Sequence, residues 1–170
     1  DFRGEIDAAD ALRYSLNLPA VRLLHQVGMR RFVSALRRAG FQSIDRHHRE
    51  LGLSLALGGC GATLEELVRT YAALANGGVL RELRMWRDAP VPARGLRMCS
   101  PAAAYMVSDI LSGVQRPDIP SAFLGKSKLP KVAWKTGTSF GRRDAWCIGY
   151  NPRYTVGVWM GNMDGRPVLE

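Results

Sequence analysis

The spacing of apolar residues changes once along this chain, and that change limits the fold more than any other feature. Before Gly113 the apolar positions recur at helical spacing. Leu64, Leu67, Val68, Tyr71 and Leu74 share one face of a helix predicted over Leu64 to Ala75, opened by the capping-box pair Thr63 and Glu66 and stopped by Asn76-Gly77-Gly78. After Pro130 the spacing becomes two: Tyr154, Val156, Val158 and Met160 alternate with Thr155, Gly157, Trp159 and Gly161. Helices first and antiparallel strands last make an α+β domain.

The other predicted elements fit that frame. Asp7 caps a short helix over Ala8 to Tyr14, and Ser15-Leu16-Asn17 forms a polar break before Leu18-Pro19. The second helix runs to Val27 and ends at Gly28. Phe32, Val33, Leu36 and Ala39 mark a third, stopped by Gly40. Ser100-Pro101 opens another that runs through Val107, Ile110 and Leu111 to Gly113. Strands are predicted over Val132 to Lys135, Trp146 to Tyr150 and Tyr154 to Gly161, the last two joined by the turn Asn151-Pro152-Arg153. Residues 87–97 and 115–130 read as loops.

With 46% hydrophobic and 23% charged residues in 170 positions, the composition is globular and excludes a disordered tail, a collagen repeat or a small disulfide scaffold. The longest uncharged stretch, Leu51 to Leu64, carries four glycines and is 14 residues long, short of the ~20 apolar residues a spanning helix needs. Cys60, Cys99 and Cys147 are widely spaced without a C-x-x-C, so neither a zinc site nor a disulfide framework is expected, and they read as buried free thiols. His25, His47 and His48 lack the spacing of a metal pair, and His47-His48 reads as a surface loop. No metal or other cofactor is expected.

The net charge of +9 admits anionic partners, and all but four of the cations are arginine, the side chain suited to bidentate carboxylate and phosphate contacts. Between Gln115 and Arg143 seven cations face Asp118 alone, a local +6. A nucleic-acid reading finds no basic recognition helix, aromatic platform or zinc finger, so no nucleic-acid partner is expected.

Lys135-Thr136-Gly137-Thr138 is the sharpest local feature, a tetrapeptide that an average chain of this length contains roughly once in a hundred. A strand lysine lends positive potential to a neighbouring hydroxyl and to a substrate carboxylate. Gly137 clears room for a substrate backbone, the hydroxyls of Thr136 and Thr138 suit a carboxylate, and the Thr138 N–H suits an oxyanion. Ser15-x-Asn17 is weak alone, since most such pairs are caps and turns. Its force comes from lying between two helices upstream of the Lys-Thr-Gly strand, the order used by serine acyltransferases that combine S-x-x-K, S-x-N and K-T-G.

Longer runs join these motifs: residues 11–22 (ALRYSLNLPAVR), Leu55-Ala56-Leu57-Gly58-Gly59, residues 71–78 (YAALANGG), Lys135 to Ser139, residues 143–146 (RDAW), and residues 155–159 (TVGVW). On them the sequence resembles the transpeptidase domain of class A bifunctional penicillin-binding proteins, most closely the 1C type, over nearly the whole chain. The resemblance implies a helical part, 1–113, bearing S-x-N, and antiparallel strands, 130–165, bearing K-T-G, in a serine β-lactamase/D,D-transpeptidase-like fold.

No Ser-x-x-Lys occurs here, because residues three before Lys126, Lys128, Lys131 and Lys135 are Phe123, Gly125, Lys128 and Val132. The chain is therefore expected to be the C-terminal part of such a domain, with its serine nucleophile elsewhere and with no activity in isolation. The resemblance implies catalytic roles for Ser15, Asn17 and Lys135, and substrate binding by Thr136, Gly137, Thr138 and Ser139. It also implies peptidoglycan stem peptides ending in D-Ala-D-Ala, and β-lactams, as ligands. The parent would be membrane-anchored on the periplasmic side of the bacterial inner membrane, with an upstream glycosyltransferase domain. Two other readings are a non-catalytic peptidoglycan-contacting portion and a β-lactamase-like hydrolase with Glu50 as deacylating base. The Leu-Ala-Leu-Gly-Gly run speaks against the hydrolase.

Overall fold

A computed structural model describes residues 4–44, 52–90, 95–113 and 131–168. Among the described residues five α-helices, α1 (Ala8–Arg13), α2 (Asn17–Val27), α3 (Met29–Ala39), α4 (Leu64–Ala75) and α5 (Pro101–Ser112), are accompanied by 3-10 helices at Gly52–Leu57, between α3 and α4, and at Phe140–Arg142. A two-residue ladder, β1 (Val79–Leu80) with β2 (Leu96–Arg97), precedes a three-stranded antiparallel sheet of β3 (Ala133–Thr138), β4 (Asp144–Tyr150) and β5 (Thr155–Gly161), in that order. The α+β arrangement expected from the change of period is the one found. β2 corrects the expectation of a loop throughout 87–97.

The helix ends follow capping chemistry. Asp7 accepts from the Asp10 N–H at 2.7 Å, and Ser100 accepts from Ala103 N–H at 3.1 Å. At α4 the capping box is complete: Thr63 Oγ1 accepts from Glu66 N at 3.1 Å, and Glu66 Oε2 accepts from Thr63 N at 2.7 Å. Glu66 is buried, and its other oxygen accepts from Gln42 N at 2.9 Å, just past the end of α3. One carboxylate thus starts α4 and binds the α3 exit to it.

Two apolar clusters fill the interior. Leu24, Val33, Phe41, Ile44, Leu55, Ala73 and Leu80 join α2, α3, the 3-10 helix and α4. Leu111, Ala133 and Tyr150, with Leu12, Tyr71, Leu74 and Val107 against them, join α1, α4 and α5 to the sheet. In this second cluster Tyr71 meets Tyr150 edge to face at 5.9 Å, and burial pushes the Tyr71 hydroxyl up to about 12. The Tyr150 hydroxyl is shared with Ser108 Oγ at 2.9 Å. The cysteines are free but only half-buried, which corrects the expectation of full burial.

The alternation of β5 covers its small-residue face. Val156, Val158 and Met160 are 60%, 55% and 59% exposed, whereas Gly157 lies beneath α4. A Cβ on Gly157 would come within 2.5 Å of Val68 Cγ2 and 2.9 Å of Leu64 Cδ1, so the glycine is what lets α4 lie flat on the sheet. Gly157→Ala is expected to destabilise the chain by about 1–3 kcal/mol through overpacking, measured by urea unfolding, while Val158→Ala on the opposite face has a smaller effect.

Candidate active site

Ser15 is placed by the way α1 ends. Ser15 N donates to Leu12 O at 3.3 Å and Leu16 N donates to Ala11 O at 2.9 Å, the paired bonds of a Schellman turn. The residue after the cap in such a turn must be left-handed, and Ser15 has φ +56° where glycine is usual. The turn itself is anchored from the side: Arg13 Nε donates to Ile110 O on α5 at 3.2 Å, and Arg13 pairs with Asp10 at 3.0 Å. Asn17, expected in the break, is instead the first residue of α2, where its side chain is exposed.

Lys135 comes from the sheet. The predicted strand was shorter than the real one, because pairing continues through the whole motif to Thr138 opposite Ala145. Lys135 lies opposite Ile148, and Gly137 opposite Trp146, on the face that the helices cover. From there the Lys135 ammonium donates to Ser15 Oγ, across 120 positions of sequence, and to Thr136 O at 2.8 Å. Burial lowers the Lys135 pKa below its ordinary value of 10.5. The half-buried cation remains within reach of solvent.

The register also decides what β3 offers outward. Ser139 N donates to Asp144 O at 3.0 Å, so Ser139 and Asp144 form a hydrogen-bonded pair and the alternation makes Thr138 and Thr136 non-bonded positions. Their backbone N–H and C=O groups consequently point away from β4, toward an outer edge that no strand among the described residues pairs. Both threonine side chains are exposed. Gly137 has an ordinary backbone, and a Cβ there would meet nothing nearer than Trp146 Cβ at 3.9 Å. Packing within the chain therefore does not demand a glycine, and the room beside it is open.

Ser139 is partly committed to structure: its Oγ accepts from Asp144 N at 2.9 Å and closes the β3–β4 connection. Trp159 Nε1 donates to Asp144 Oδ1 at 2.9 Å and its ring tilts against Trp146 at 6.2 Å, so both tryptophans brace the strand. Sequence reasoning overlooked Arg13 and Asp144 as supports. The cue for Arg13 was its place one helical turn after Asp10, a pair that could be read at spacing three. Glu50, His47 and His48, and the cations at 116, 126 and 128, lie outside the described residues.

Comparison with known proteins joins this geometry to a family. Residues 1–165 match the penicillin binding protein transpeptidase domain. Penicillin-binding protein 1C of Escherichia coli (strain K12) is 43% identical over 171 residues, covering 99% of this chain and 21% of that protein. Penicillin-binding protein 1A of Clostridium botulinum (strain Langeland) is 28% identical over 180 residues, covering 98% of this chain and again 21% of the relative. In solved structures, penicillin-binding protein 1A from Haemophilus influenzae superposes with a TM-score of 0.75 at 21% identity, over 94% of this chain and 30% of that one. The TP domain of Burkholderia pseudomallei penicillin-binding protein 3 gives 0.73 at 19% identity, over 94% and 57%. These structural likenesses establish the fold, and the sequence matches establish descent: the chain belongs to the penicillin-binding protein transpeptidase domain family.

Proposed function

We propose that this chain carries the S-x-N and K-T-G part of a serine-type D,D-transpeptidase that cross-links peptidoglycan stem peptides in the complete protein. The observation that supports it most is the hydrogen bond from Lys135 to Ser15, beside a strand edge that no strand among the described residues pairs. An extended peptide donor adds to that edge through the outward groups of Thr136 and Thr138. Its terminal carboxylate meets the two threonine hydroxyls and the Lys135 charge, while Gly137 leaves space for its backbone.

The nucleophile is a serine outside these 170 residues. Its oxygen forms an ester with the carbonyl carbon of the penultimate D-Ala, the peptide bond to the terminal D-Ala breaks, and the proton passes to the departing amine. Ser15 relays that proton, with Lys135 polarising its hydroxyl, and Asn17 orients the substrate amide. The Thr138 N–H is an oxyanion donor. An amine of a neighbouring stem then takes the acyl group and frees the serine. β-Lactams, which carry a carboxylate beside a strained amide, follow the first half of the same path. Such a protein works on the periplasmic side of the inner membrane, anchored there and joined to an upstream glycosyltransferase domain. Among the described residues no helix is long and apolar enough to cross a membrane.

Three outcomes test this reading. Ser15→Gly relieves a left-handed serine and is expected to stabilise the chain by about 1 kcal/mol in denaturant unfolding, while slowing acylation of the full-length protein by a fluorescent penicillin. A variant that is more stable and equally reactive would remove Ser15 from the chemistry.

Lys135→Ala in the full-length protein is expected to slow acylation by about 10²–10³-fold, the scale of a lost charge-stabilising donor, whereas Arg153→Ala in the β4–β5 turn leaves the rate near wild type. The wild-type rate should also fall as the pH rises through the depressed Lys135 pKa, below 10.5, and Lys135→Ala should lack that alkaline limb. The sign for stability is opposite. A lysine that binds its proton less tightly when folded costs stability below its folded pKa, and that cost fades as the pH approaches 10.5.

The 170-residue chain alone is expected to form no penicillin adduct in intact-mass spectrometry. An adduct mapped within it would relocate the nucleophile.

A further inference from the structure

Phe140 follows the motif directly and is 99% exposed. A lone apolar side chain at the surface needs no explanation, but the backbone that holds this one does. Ser15 and Arg142 are the only non-glycine residues with positive φ among those described. Ser15 lies in the S-x-N motif. Arg142, at φ +54°, lies in the short loop that connects the K-T-G strand to β4, next to Gly141 at φ +73°. Left-handed backbone at a branched-out, long side chain is unfavourable and persists only where the surroundings impose it.

Here they do. Ser139 and Asp144 clamp the base of the loop through the two bonds already described. Arg142 N donates to Ser139 O at 3.1 Å, and Arg142 O accepts from Val168 N at 2.9 Å, which fastens the tip to the C-terminal segment. The outcome of these four bonds is a rigid turn that carries an aromatic ring into solvent two residues, or roughly 7 Å of chain, past Thr138. A fold that merely needed to reverse between two strands could do so with a flexible loop and a polar residue at position 140.

We propose that Phe140 is a substrate-positioning residue: its ring packs against the aliphatic part of the peptide donor that precedes the terminal D-Ala-D-Ala, while the carboxylate end lies at Thr136 and Thr138. The proposal rests on the site reading above and adds the specificity element to it. The bonds at 139–144 fix the backbone that carries the ring, so this stretch of chain need not be ordered on binding and apolar contact with the ring goes largely into affinity. The interaction is made in the ground state and the transition state alike, and therefore acts on KM rather than kcat.

The test uses the full-length protein with two acyl donors: a stem pentapeptide ending in D-Ala-D-Ala, and a bare penam carboxylate without an acyl side chain. Phe140→Ala is expected to raise KM for the pentapeptide about ten-fold, with kcat within two-fold and acylation by the bare penam unchanged. Phe140→Tyr, which keeps the ring, should restore the pentapeptide KM. Because the side chain is exposed, the melting temperature of both variants should match wild type. An unchanged pentapeptide KM in Phe140→Ala overturns the proposal, and so does an equal slowing with both donors, which would indicate a disturbed loop. Lys135→Ala in the same assay separates the two levels. If it retains both activities the site reading itself fails, whereas if it loses both while Phe140→Ala behaves as wild type, only the role of Phe140 is lost.

Discussion

A lysine ammonium drawn partly out of water onto a serine hydroxyl is the contact on which the rest of this site depends. It requires two independent placements to agree. The helical part must turn sharply after Arg13 so that Ser15 faces the sheet, and the sheet must hold a register in which Lys135 points toward the helices. A slip of one residue in β3 would send Lys135 to the opposite face and bring Thr136 in its place. Several features oppose that slip. Ala133 and Tyr150 are buried as a cross-strand pair beneath α5, Ser139 locks to Asp144 at the other end, and Gly157 admits α4 at one place on β5. The helix-side placement is fixed by Arg13, whose bond to the end of α5 ties the Ser15 turn to the helix that also packs on β3.

Much of this was legible in the chain itself, for physical reasons that differ from one element to the next. α4 could be bounded to the residue because Thr63 and Glu66 specify a start and Asn76-Gly77-Gly78 a stop, and the capping box is present as read. β5 could be read from its alternation, and β4 and β5 end where expected, at Tyr150 and Gly161. The ends beside the K-T-G motif were not read, because β3 extends through Thr138 and β4 begins at Asp144, since ladder bonds recruit residues of low strand propensity once a neighbour is in register. The β1–β2 ladder could not be read, because two-residue strands have no period and Leu96–Arg97 pairs only through the fold that brings it to Val79–Leu80. Which face of β5 would be covered was also beyond the pattern. Alternation separates two sets of residues, and it was the notch at Gly157, set by the packing of α4, that chose between them.

The candidate site was legible through its motifs, but its construction was not. Ser15 and Lys135 could be named from residue types and order, while Arg13, Asp144 and the loop at 140–142 act through geometry that no motif records. Their roles arise from hydrogen bonds between segments far apart in sequence or from backbone conformations that a letter does not show.

Among the described residues local rules are broken at few places, and where they are broken is informative. A Schellman turn prefers glycine after the cap, and a hairpin loop prefers glycine or asparagine at a left-handed position. Each exception costs roughly 1 kcal/mol against glycine. Sequences that fold well have local and global preferences in agreement, so an exception that is kept in place by several bonds calls for a reason other than folding. Gly137 shows the converse: neither its backbone nor its neighbours require the absence of a side chain, yet it has none. Taken together, a serine where glycine would be easier is bonded to Lys135, a glycine where alanine would fit lies two residues along from it, and an arginine where glycine would be easier lies in the loop that follows the same strand. Stability alone favours the other residue at each of these three places, and what they share is the strand that carries Lys135, Thr136 and Thr138.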